Sequence, residues 1–132
     1  MSLVKIHEIK IPEIQESLGY FWKAMFQTEF EFTLPKGYVD SDGNLHRKGI
    51  MRLANAIDEI LPMRDPRVKS NPAYATVIIL ARTIERLGAL DEVSPTVIEN
   101  LYACDLNYLQ KFYRKINEIE DEENSRSSQK PK

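Results

Sequence analysis

The chain has 132 residues, 42% hydrophobic and 29% charged, a balance that fits a single globular domain with a buried core. Its net charge of −2 supplies no global basic field for nucleic acid or an anionic membrane. Its one cysteine, Cys104, excludes an internal disulfide framework and fits a reducing compartment. The longest apolar run, Val77 to Ala81, is far too short to span a bilayer, and the opening Met-Ser-Leu-Val-Lys-Ile-His-Glu lacks a signal-peptide core, so a cytoplasmic protein is expected.

Residues 1–11 are mixed in character and read as extended. From Pro12 to Gln27, Ile14, Leu18, Phe21, Trp22, Met25 and Phe26 recur at helical spacing, which predicts an amphipathic arm over 12–27. Gly19 weakens it by roughly 1 kcal/mol relative to Ala. A stripe on that pattern ordinarily packs on a core. This one is unusually aromatic, however, and Trp and Tyr often dominate interface energies, so Tyr20, Phe21, Trp22, Met25 and Phe26 are also candidate partner contacts.

Glu29 to Leu34 alternates strictly, predicting a strand with Phe30, Phe32 and Leu34 on the buried face and Glu31 and Thr33 on the other. Pro35, which cannot donate to a ladder, belongs at a strand end or edge. Asp42-Gly43-Asn44 is turn chemistry, and the chain returns through Leu45 to Leu53 as the second half of a hairpin. His46, beside Arg47 and Lys48, reads as part of a solvated strand edge. Asn55 to Leu61 then opens a capped helix, with Asp58 near the positive end of its dipole.

Pro62 to Arg67 reads as a loop. Arg64, Arg67 and Lys69 make it weakly basic and a second candidate partner surface, but Asp65 lies among them and no aromatic interleaves, which argues against nucleic acid. Asn71-Pro72 starts the expected central core helix, running to about Leu87 and closed by Gly88. Ser94-Pro95 repeats the signal for a helix through Val97, Ile98, Leu101 and Tyr102. Asp105 is read as the cap of a last helix carrying Leu106, Leu109, Phe112, Tyr113 and Ile116. The acidic run Glu118 to Glu123 should fray that helix, and residues 125–132 should be disordered. The expected architecture is α+β, mostly α: one domain over 1–124, with a β-hairpin packed on about four or five helices.

No constellation of reactive groups stands out. Asp40-Ser-Asp42-Gly43-Asn44 superficially suggests a calcium loop, but the positions that an EF-hand fills with Gly and Glu are Leu45 and Met51, and a hairpin turn explains the same residues. His7, His46 and Cys104 are scattered, with no zinc spacing and no nucleophile–base pairing, and the five glycines form no phosphate loop. Neither an enzymatic role nor a cofactor or metal is expected.

One ordered set of segments stands out instead. It comprises Leu34-Pro35-Lys-Gly37-Tyr38-Val39-Asp40, Asp42-Gly43-Asn-Leu45-His46-Arg47, Met51-Arg52-Leu53-Ala54, Asp58-Glu59-Ile60, Asp65-Pro66-Arg67-Val68, Asn71-Pro72-Ala-Tyr74 and Asp105-Leu-Asn-Tyr108-Leu109. In order and spacing this set resembles the tail assembly proteins of contractile bacteriophage tails and phage-tail-like injection particles. The resemblance runs from about Phe30 to Asn117, and none of its motifs is catalytic. It implies a tail assembly chaperone that binds the helical tail-length ruler (tape measure) protein, holds it soluble and releases it as tube subunits polymerise. A permanent structural or adaptor subunit of the particle is the alternative, and an enzyme a distant third. The ruler protein, other tail components and a second copy of the chain are the candidate partners.

Overall fold

The structure, a computed structural model, describes residues 26–119. The expected arm up to Met25 and the tail at 125–132 lie outside them. The described chain is α+β, with a three-stranded antiparallel sheet and five α-helices. Strand β1 (Glu29–Val39) and strand β2 (Leu45–Arg52) form the expected hairpin. Helix α1 (Ala56–Ile60) follows, then a 3-10 turn (Leu61–Arg64) and helix α2 (Pro66–Ser70). A second 3-10 turn (Pro72–Tyr74) leads into helix α3 (Ala75–Thr83) and strand β3 (Ile84–Leu87). Helices α4 (Pro95–Glu99) and α5 (Ala103–Ile116) complete the fold.

The alternation of β1 decides which face is core. Phe32 and Leu34 are buried while Glu31 and Thr33 are exposed. Across the pair, Phe30 lies opposite Met51 and Phe32 opposite Gly49. Gly49 is needed there, because a Cβ on it would sit 2.4 Å from the Phe32 ring and 2.4 Å from the Arg86 carbonyl oxygen. Phe32 fills the space over that glycine and meets Phe112 of α5 edge-on, with centroids 5.8 Å apart. Met51, Leu80, Ile84, Leu87, Ile98, Leu109 and Tyr113 close the same core between the sheet and helices α3, α4 and α5. Phe32→Ala is therefore expected to lower stability by about 3–5 kcal/mol. A thermal melt showing no loss would place that face in solvent.

Several boundaries differ from expectation. The helix expected over Pro72–Leu87 is a 3-10 turn, a helix ending at Thr83, and then strand β3. Ile84 and Leu87 suit either period, but β2 has a second edge whose backbone groups need partners, and β3 supplies them at Gly49, Ile50 and Met51. Gly88 does take a positive φ of 57°, yet it caps no helix: its N–H donates to the Lys48 carbonyl at 2.7 Å.

The loop expected over Pro62–Arg67 is instead the first 3-10 turn plus the start of α2. Asp65 caps α2 by accepting from the Arg67 N–H at 2.8 Å, with Pro66 at the first position. Helix α4 stops at Glu99 and α5 begins at Ala103, so Asp105 lies inside the last helix and does not cap it. Helix α5 ends at Ile116, before the acidic run is reached. No helix among the described residues is long and apolar enough to cross a membrane.

Candidate partner-binding surface

The buried polar side chains show which motif residues hold the fold together. Asp105 is fully buried, and its carboxylate accepts from the backbone N–H groups of Lys36 (2.8 Å) and Gly37 (2.9 Å). Those two groups lie where the β1–β2 register slips between Thr33 and Tyr38, so the ladder leaves them without a partner. Arg47 serves the carbonyls of the same bulge, donating from Nε to Leu34 (2.9 Å) and from Nη2 to Pro35 (3.2 Å). Gly37 turns through φ 104°, and a Cβ there would meet Arg47 Cγ at 2.5 Å. Pro35 thus sits in an edge strand at a bulge, where its missing donor costs nothing. Nearby, the Thr33 N–H donates to the Tyr108 hydroxyl at 3.2 Å.

His46 is buried, contrary to the solvated edge expected of it. The Ala89 N–H donates to its Nδ1 at 3.1 Å, so Nε2 carries the proton and donates to Asp40 Oδ2 at 2.8 Å. Asp40 Oδ1 accepts from the N–H groups of Asp42 and Asn44, both at 2.9 Å, and so shapes the hairpin turn. The Asp40 carboxylate, the first of the residues that suggested a calcium loop, is spent in this way. Among the described residues, no group of three or more His, Cys, Asp or Glu side chains is placed to hold a metal.

The hydrogen bond from His46, with those from the turn, pulls the Asp40 carboxyl down to about 2. The hydrogen bond from Arg52, with those from Asn55 and Arg82, holds Asp58 well below the usual carboxylate range. A carboxyl whose pKa is depressed by folding contributes stability that is complete above its unfolded value, about 4, and is lost as pH falls toward the folded one. Tyr113 is the reverse case. Burial and the hydrogen bond it donates to Glu59 at 2.5 Å push its hydroxyl up, so its contribution is present below about pH 10 and lost above it. Urea midpoints are expected to hold level near neutrality, fall below pH 4 and fall again above pH 10. A midpoint that stays level from pH 5 to pH 2 would contradict these ties.

The candidate surface comes from the way Asp58 orients α1. Asp58 is 1% exposed and is the one buried residue of that helix. Arg52 grips it with two guanidinium nitrogens, Nη1 to Oδ2 at 2.7 Å and Nη2 to Oδ1 at 3.0 Å. Arg82 of α3 adds Nε to Oδ1 at 3.0 Å, and the Asn55 N–H adds 2.7 Å to Oδ2. With its carboxylate turned inward, α1 has its apolar residues turned outward. Ile57 is 44% exposed, Ile60 48% and Leu61 38%, and Met63 in the turn beyond is 58% exposed. Ile57, Ile60 and Leu61 stand at i, i+3 and i+4, so they line one ridge of the helical stretch.

The basic residues singled out in the sequence follow this ridge. Arg64 and Lys69 are exposed and in no ion pair among the described residues. Arg67 is occupied: it pairs with Asp65 at 3.0 Å and lies over the Tyr74 ring at 5.2 Å. The Tyr74 hydroxyl in turn donates to Glu99, tying this region to α4. Of the aromatic candidates only Phe26 is described, and it is half-exposed just ahead of β1; Tyr20, Phe21, Trp22 and Met25 lie outside the described residues. No family model, no curated protein and no solved structure matches the chain.

Proposed function

We propose that the protein is a tail assembly chaperone that binds the tail-length ruler protein of a contractile phage tail or phage-tail-like particle. The observation that carries the reading is the inverted helix: α1 buries a carboxylate and presents its two isoleucines to solvent, and the turn that follows adds Leu61 and Met63. Exposed apolar side chains in a connected row mark surfaces that bind other chains. Such a row suits a reversible grip on a helix, which holding and then releasing a ruler requires. The motif residues of the resemblance are consistent with this role. Asp105, Gly37, Arg47, Asp40, His46, Arg52 and Asp58 are all engaged in building the fold.

Co-expression tests the proposal. Fragments of the ruler protein produced with this chain are expected to stay soluble and to co-purify with it, whereas fragments produced alone precipitate. Ruler fragments that are equally soluble alone, or that never co-purify, would contradict it.

A further inference from the structure

We infer that the ridge of α1 and the following turn is the docking site of an amphipathic partner helix whose apolar stripe is flanked by acidic residues. The inference rests on the chaperone reading for the existence of a partner and adds its chemistry. The surface is itself helical, so it offers no open strand edge to which a strand could be added. What it presents is a row at i, i+3 and i+4, the kind of ridge that packs into the groove between rows on another helix.

From Ala56 to Arg64 the stretch spans about 15 Å, which matches roughly three turns of a partner. The charges around it choose the sign. Asp58 is buried under two arginines and Asp65 is matched by Arg67, while Glu59, which accepts from the neutral Tyr113 hydroxyl, keeps its negative charge. Against it stand Arg52 and Arg82 around the one Asp58, Arg64 in the turn and Lys69 in α2, so the balance around the stretch is positive. Acidic residues flanking the partner's stripe complement that field.

The test uses the full chain and two fluorescein-labelled helical peptides of 14 residues. Both carry leucines at i, i+3, i+7 and i+10; one is flanked by glutamates and the other by lysines. At low salt the glutamate peptide is expected to bind at least about tenfold tighter, with the preference fading as salt rises. Ile60→Asp is expected to weaken that binding about tenfold or more while a cooperative melt shows the protein still folded, since the side chain is half-exposed. The double variant Arg64→Glu, Lys69→Glu is expected to reverse the preference.

Equal binding by wild type and Ile60→Asp, or a preference for the lysine peptide, would overturn the inference and leave the ruler co-purification result standing on its own. A dimer in sedimentation that Ile60→Asp dissociates would also overturn it, by assigning the ridge to a second copy. So would a Trp22 emission shift caused by Ile60→Asp in the absence of peptide, which would assign the ridge to residues 12–25 of this chain.

Discussion

Asp105→Ala is expected to lose roughly 2–6 kcal/mol of folding stability, since two backbone N–H groups, at Lys36 and Gly37, would each lose their acceptor in or near the core. That is a large part of the 5–15 kcal/mol typical of a whole domain. The loss should not be confined to α5. Asp105 joins the last helix to a bulge in the first strand, 68 residues away, at a glycine held in a conformation that other residues avoid. Asp105→Asn keeps one acceptor oxygen but turns an NH2 group toward the other donor, so it should recover part of the loss and no more. Urea melts of the three proteins measure this. An Ala variant within 1 kcal/mol of wild type would mean that the bulge holds itself together without the carboxylate.

The second large effect is a contrast between neighbours on α1. Asp58→Ala removes the buried acceptor on which two arginines and the Asn55 N–H converge. It leaves Arg52 only the Leu53 and Arg82 carbonyls and both guanidinium groups only partly in solvent, a change expected to cost about 2–3 kcal/mol. Ile60→Asp, two residues away, is expected to cost only about 1 kcal/mol, because half of its side chain is already in solvent. In an ordinary amphipathic helix the order would be the opposite. Thermal melts giving the usual order, with the isoleucine costly and the aspartate cheap, would show that α1 packs its apolar side inward and would remove the ridge.

The hairpin was legible because its signals are local: six alternating residues, a proline, and an Asp-Gly-Asn turn. Strand β3 was not, because its four residues become a strand only by pairing with β2, more than thirty positions earlier, while their own spacing equally fits the end of a helix. The cap at Asp65-Pro66 carries the same signal as the helix start at Ser94-Pro95. There a second proline, Pro62, and the charges of Arg64 and Arg67 surround it, a composition that equally fits a loop.

His46 and Asp105 depart from expectation for a common reason. A polar side chain's partner lies wherever the fold brings a backbone donor or acceptor, and the Ala89 and Gly37 N–H groups leave no trace in the sequence around these residues. The ridge was half legible. The i, i+3, i+4 spacing of Ile57, Ile60 and Leu61 was visible, but its direction depended on Arg52 and Arg82 converging on Asp58 from 6 and 24 residues away.

The most direct measurement of the central claim compares assembling and finished particles. Cells producing the particle would be lysed during assembly, and the ruler protein captured. Completed particles would be purified separately, and this chain quantified in both by mass spectrometry. A chaperone is expected with the ruler in the lysate and absent from the completed particle, and a strain carrying Ile60→Asp should show less of it with the ruler. Finding the chain at a fixed stoichiometry in finished particles would contradict the proposal and make it a permanent subunit.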